Sequence, residues 1–231
     1  MTADASRLRL ADVSVTLGGR SVLSDVSLDV DARRLGVIGA NGSGKSTFAR
    51  LLNGLVAPTA GRVVVHGLDV AAEREAVRRR VGFIFSSPDA QILMPTVAED
   101  VALSLRGSAL SRDQVKERVA GVLEEYGLAS HADAPAYSLS GGQKQLLALA
   151  SVLITRPTLL VADEPTTLLD MRNAQHISKL LLDDLGCDVV LATHDLELAG
   201  RCDQVALFEQ GRLVDVGEPN AIIATYRKLS G

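Results

Sequence analysis

The residues best equipped for chemistry are Gly39-Ala40-Asn41-Gly42-Ser43-Gly44-Lys45-Ser46, an octet with the spacing G-x-x-x-x-G-K-[ST]. Glycines let the backbone curl until successive N–H groups point inward, and the first turn of a following helix adds unpaired donors and a partial positive charge. The spacing predicts a cradle for phosphate, continued into the helix by Thr47. Lys45 is placed to reach the β- and γ-phosphates of a nucleotide, and Ser46 offers a hydroxyl to a phosphate-bound Mg2+, whose octahedral shell leaves room for few protein ligands. Apolar Leu35-Gly36-Val37-Ile38 precedes the octet and Phe48-Ala49-Arg50-Leu51-Leu52 follows it, so the order reads strand, loop, helix.

Leu159-Leu160-Val161-Ala162-Asp163-Glu164 puts two carboxylates at the end of an apolar strand, the ligand-facing edge of a parallel sheet. Asp163 suits the Mg2+, directly or through water, and Glu164 suits the water that attacks a γ-phosphate. Leu139-Ser140-Gly141-Gly142-Gln143 opens a helix expected over 143–154, so Ser140 and the Gly141 and Gly142 amides make a second anion site by the same helix-terminus physics.

These residues need a frame to hold them. Runs at 8–15 and 22–30 around Gly18-Gly19 read as an antiparallel layer, 63–65 as a strand entering the His66-Gly67 turn, and 81–85 as another strand. Between about 96 and 156 the pattern turns helical. Ser111 and Gln114 make a capping-box start, Val115, Val119, Val122 and Tyr126 keep helical spacing, and Gly127 closes the helix. Strands return at 158–162 and 189–192 with a helix over 171–185 between them, the alternation of a parallel α/β sheet, and the tail turns at Gln210-Gly211 in a hairpin.

Composition narrows the class. At 231 residues, 47% hydrophobic and 23% charged, the chain can bury a full core, and a net charge of −4 argues against sequence-independent nucleic-acid binding. No apolar run reaches membrane-spanning length and the amino terminus lacks a signal-peptide pattern, so a cytoplasmic chain is expected. Cys187 and Cys202 have no metal-ligand spacing and read as free or buried thiols in a reducing compartment.

Together the three motifs resemble the signature of the ATP-binding-cassette ATPases, over nearly the whole chain. The resemblance implies an α/β fold of the P-loop NTPase type: a mostly parallel sheet core with an antiparallel β layer and an inserted helical subdomain. One domain would span 1–231, with 1–95 and 157–231 as core and about 96–156 as the insert carrying Ser140 to Gln143. It further implies that ATP with Mg2+ on the phosphate loop of one subunit is closed over by Ser140, Gly141, Gly142 and Gln143 of another, in a homo- or heterodimer. Thr193-His194-Asp195 resembles the switch histidine, with His194 contacting the γ-phosphate and orienting Glu164. Leu169-Asp170 resembles the crossover loop, with Asp170 coupling the two sites. His66, His131 and His176 match no part of the pattern.

Three positions depart from the family pattern. Ser86 stands where a glutamine commonly touches Mg2+ and senses the membrane subunit, Leu17 where an aromatic stacks on adenine, and Leu168 where a small residue is usual. Only about 95 residues separate the phosphate loop from the signature, too few for the coiled-coil insertion of the chromosome-maintenance relatives. Pro88-Asp89-Ala90-Gln91 and the stretch from Pro95 to Ala102 resemble the ATPases of energy-coupling-factor importers. For such importers the resemblance implies a transmembrane scaffold subunit, a small substrate-binding membrane subunit, and a peripheral position on the cytoplasmic face of the cell membrane. Ile92-Leu93-Met94 would dock a coupling helix, with Gln91 at the joint. Among these importers biotin transport is most similar, with cobalt or nickel systems next. A nucleotide-binding regulatory switch with impaired hydrolysis and a cell-envelope ATPase remain the alternatives.

Overall fold

The computed structural model describes residues 7–229; residues 1–6, where the absence of an export signal was read, lie outside the described residues. In chain order the strands are β1 (Leu8–Leu17), β2 (Arg20–Val30), β3 (Arg34–Ile38), β4 (Ala60–Val65), β5 (Leu68–Asp69), β6 (Val81–Ile84), β7 (Leu159–Asp163), β8 (Asp188–Ala192), β9 (Gln204–Glu209) and β10 (Arg212–Gly217). The helices are α1 (Lys45–Leu52), α2 (Arg74–Arg80), α3 (Val97–Leu103), α4 (Arg112–Glu125), α5 (Gly141–Leu153), α6 (Met171–Lys179), α7 (Leu196–Ala199) and α8 (Pro219–Leu229).

Two sheets result. One is antiparallel in the order β2-β1-β4-β5; the other runs β10-β9-β3-β8-β7-β6, parallel except for the hairpin strand β10. The β1–β2 turn, Gly18-Gly19, has φ of 54° and 78°, the doubly positive conformation that matches a two-residue connection to strand twist. Along β1 the buried side chains are Leu8 and Leu10, then Val13 and Val15. The phase slips by one because register with β2 breaks after Leu10, where Asp12 takes φ 50° as a bulge. Without that bulge one half of the strand would turn its apolar residues to water.

Helix α1 lies in the core that both sheets share. Phe48, Leu51 and Leu52 are fully buried, and Phe48 packs on Phe208 of β9 with ring centroids 5.0 Å apart. The helical region has its own cluster, with Val97 and Val101 of α3, Val119 and Leu123 of α4, and Leu147 and Ala150 of α5.

Two helices differ from their expected bounds. Ser140 caps α5, so that helix starts at Gly141, two residues before the expected position. The helix expected over 171–185 is α-helical only to Lys179 and then widens to a π-turn over Leu180–Asp184. Arg34 of β3 holds this end in place, its buried guanidinium donating to the carbonyls of Leu182 within the turn and of Leu185 and Cys187 just beyond it. No helix among the described residues is long and apolar enough to cross a membrane.

Candidate nucleotide-binding and hydrolysis site

The phosphate loop joins β3 to α1 and is shaped by backbone collisions. Gly39 has φ 147°, and a Cβ there would strike the Phe208 carbonyl; Gly44, at φ 106°, caps α1 with no side-chain hydrogen bond. The first turn of α1 carries no acidic residue, so its unpaired N–H groups are left for an anion. Ser43 Oγ is buried beside Gly39 without a protein partner. An orphaned hydroxyl, a cradle that admits only glycine and an uncapped helix terminus together fit polyphosphate.

Lys45 is buried, its Nζ donating to the carbonyls of Gly39 at 2.8 Å and Ala40 at 3.0 Å. Burial pushes the amine below its usual value, against the pull of the Glu164 and Asp163 charges. Across the loop, Ser46 Oγ donates to Asp163 Oδ1 at 2.9 Å. Burial also holds the Asp163 carboxyl above the ordinary range, opposed by the Ser46 bond and the Arg50 charge. An oxygen-only donor pair with a desolvated carboxylate suits a hard cation that takes its remaining ligands from water and phosphate.

Sheet order brings the rest together. β7 and β8 are neighbours, and Glu164 N donates to Ala192 O while Thr193 N donates to Val37 O, binding the three strand ends into one edge. Glu164 sits at φ 52°, and its Oε2 meets His194 Nδ1 at 2.7 Å and accepts from Thr167 Oγ1 at 3.0 Å. Residues 39–47, Asp163, Glu164 and His194 thus share one edge of the sheet.

The signature residues form a second group. Ser140 Oγ accepts from Gln143 N, and Gln143 Oε1 accepts from Ser140 N, a reciprocal cap that leaves the Gly141 and Gly142 amides in the first turn of α5. Asp170 caps α6, accepting from Asn173 N at 2.9 Å and Asn173 Nδ2 at 2.8 Å, and these bonds hold its carboxyl below the usual range. Gly142 abuts the Asn173 carboxamide, which joins the signature turn to Asp170. Helix α5 packs on α3, β6 and α6, whereas α1 packs on β7, β8, β4 and β2, so the two groups are carried by helices with different neighbours.

Three contacts had not been expected from the sequence. Thr167 braces Glu164, His131 meets Gln143 at 2.9 Å, and Gln91, expected at a partner joint, turns its amide inward. Gln91 Oε1 accepts from Phe85 N and its Nε2 donates to Ala148 O, tying the end of β6 to α5, while Ser86 is exposed. Each joins residues distant in sequence or turned by a local bend, which spacing alone does not report.

A loop that cradles phosphate, a serine–aspartate pair for a cation and a glutamate–histidine pair on one sheet edge, with a separate glycine-rich cap on an inserted helical unit, define an ABC ATPase fold. The chain belongs to the ABC transporter family, whose model matches residues 23–167. A putative ABC transporter ATP-binding protein of Deinococcus radiodurans is 45% identical over 96% of this chain and 97% of its own length. The biotin transport ATP-binding protein BioM of Rhizobium etli is 44% identical over 96% and 99%. Among solved structures, cbiO1 from Clostridium perfringens, described as part of the ABC transporter complex cbiONQ, matches with a TM-score of 0.84 at 30% identity, covering 97% of this chain and 94% of that one.

Proposed function

We propose that this chain is the ATP-hydrolysing subunit of an energy-coupling-factor type importer on the cytoplasmic face of the membrane, powering uptake of a micronutrient. Biotin is the first candidate cargo and cobalt or nickel ion the next. The observation that carries the reading is the segment after β6. Pro88-Asp89-Ala90 forms one turn, Leu93 stands 72% exposed, and Asp89, Met94, Pro95 and Tyr137 line a groove beside it, an apolar seat for an amphipathic helix of a membrane scaffold. The names of the Rhizobium and Clostridium relatives support the same class.

In this reading the amides of residues 39–47 and Lys45 bind the phosphates of ATP. Ser46 and Asp163 would hold Mg2+, which when bound neutralises charge on the β- and γ-phosphates. Glu164, oriented by His194 and Thr167, takes the proton of the attacking water as the new O–P bond forms and the bond to the ADP oxygen breaks. Ser140 to Gln143 of a second copy, or of a related ATPase, close over the nucleotide, and Asp170 links the two sites. Leu17, 45% exposed at the end of β1, offers the adenine an aliphatic surface in place of a ring.

A second reading, a nucleotide-operated switch without productive hydrolysis, rests on Ser86, which is too short to replace the usual glutamine except through a bridging water. Purification of the tagged chain from its own membranes in mild detergent tests both. Recovery of a scaffold and a small substrate-binding membrane protein, with Mg-dependent turnover stimulated by them, is expected. Recovery of soluble proteins only, or of division or lipoprotein-release membrane proteins, refutes the importer.

A further inference from the structure

We infer that His131 is a positioning residue for the signature turn, and that it holds Gln143, and through Gln143 the Ser140 cap, only while its imidazole is neutral. The inference rests on the reading above that this turn engages nucleotide held by a second subunit.

Hydrogen-bond arithmetic carries the argument. The Gln143 carboxamide has one oxygen and one NH2 group. Its oxygen must face Ser140 N, a donor 2.9 Å away, so the NH2 group is the one that faces His131 Nε2, also 2.9 Å away. Two donors cannot share a bond. His131 Nε2 must therefore be the bare nitrogen, with the ring proton on Nδ1, an assignment made from the network around the ring. A second proton would sit on Nε2 and point at the NH2 group. Flipping the amide satisfies a protonated His131 but turns NH2 against Ser140 N–H, so no orientation of Gln143 serves both neighbours. The His131 backbone is anchored on the turn leading to α5, its N donating to Leu128 O and its O accepting from Ala134 N.

Imidazole is the side chain whose ordinary titration falls between pH 5 and 8. The elements that contact this turn carry Asp133 on the turn itself, Glu99 and Asp100 on α3, Arg112, Asp113, Lys116, Glu117, Arg118, Glu124 and Glu125 on α4, and Lys144 on α5. Glu99 is engaged by Thr96, Asp100 by the Leu93 and Met94 amides and Ser151, and Lys144 by Asp89. Among the described residues, the histidines at ion-pair distance from a carboxylate are His66 and His194. The direction follows from the bonds: the turn is set while the ring is neutral, and acid that protonates Nε2 loosens it.

Two measurements decide the inference. A long-range 1H–15N spectrum of the labelled protein at pH 8 should show His131 as the Nδ1–H tautomer; the Nε2–H tautomer overturns the assignment. ATP-driven dimerisation, followed by light scattering in a Glu164→Gln background, should weaken roughly fivefold between pH 8 and pH 5.5, as loss of one net hydrogen bond implies. Adding His131→Gln, whose amide oxygen can accept from Gln143 at any pH, should remove that dependence while leaving the pH 8 affinity intact. The same pH profile in both backgrounds overturns the positioning role. Failure of the Glu164→Gln protein to dimerise with ATP at any pH takes down the functional reading together with the engagement half of the inference. The tautomer spectrum then still decides whether the His131–Gln143 bond exists.

Discussion

Substituting Gly142→Ala tests whether the signature turn and the crossover loop are one mechanical unit. A methyl at Gly142 would lie 2.5 Å from Asn173 Oδ1 and 2.7 Å from its Nδ2, and this carboxamide is the flexible end of a side chain, so it can swing away. Swinging breaks the 2.8 Å bond to Asp170 Oδ2 and leaves that carboxylate to backbone donors, Asn173 N at 2.9 Å and Arg172 N. The bond lost at this exposed cap contributes little to stability, and alanine in place of glycine inside a helix offsets it. The two nearly cancel, so the melting temperature should move by less than about 4 °C for a chain of this size. Activity should not be spared, because Asp170 and the signature turn are both displaced, and a shift on the order of 1 Å can cost about 10²-fold in rate. ATP turnover with the membrane partner, measured beside thermal melting, separates the two effects. Asn173→Ala added to Gly142→Ala clears the collision but also lacks the bond to Asp170, so the double variant should lose no more than Asn173→Ala alone, a non-additive double-mutant cycle. Strictly additive losses, or a melting drop beyond about 10 °C, would refute the coupling.

Four further outcomes are expected. Glu164→Gln should lower turnover by about 10²- to 10⁴-fold and leave an ATP-bound dimer visible by size-exclusion chromatography; a dimer hydrolysing at the normal rate would remove Glu164 from its role. Asp163→Asn should raise the melting temperature of the nucleotide-free protein at pH 8. The Asp163 carboxyl is held above its unfolded value by burial, so its contribution is present at low pH and lost as pH rises, and the gain should vanish towards about pH 4. A lower melting point at pH 8 contradicts this. Burial pushes the Cys202 thiol up to about 12 and raises Cys187, so a chromogenic thiol reagent at pH 8 should react slowly with the native protein and fully with the unfolded one. Arg34→Met strands the carbonyls of Leu182, Leu185 and Cys187 and should cost on the order of 2 to 4 kcal/mol, read as a melting drop near ~10 °C; a change below ~2 °C would show that those carbonyls find other partners.

Local chemistry made much of this protein legible before its fold was known. The octet ending at Ser46 needs its glycines because Gly39 and Gly44 occupy conformations and contacts that a side chain would obstruct, and that demand is written in residue type. The same holds for the Gly18-Gly19 turn and the Ser111–Gln114 capping box, each set by neighbours a few residues apart. Other elements were not legible: α2, α7 and α8 carry short or diffuse patterns, and the π-turn at Leu180–Asp184 is held by Arg34, about 150 residues away in sequence. For the site, sequence identified Lys45, Ser46, Asp163, Glu164 and His194 as types in the right order along the chain. Only the strand order β3-β8-β7, which seats Asp163 against Ser46 and His194 against Glu164, decided that they lie at one place. Tertiary structure alone brought His131 to Gln143 and Gln91 to Ala148. A hydrogen bond is decided by where two atoms arrive, and once the contact is made by a side chain across a fold, the spacing of residues along the chain carries no record of it.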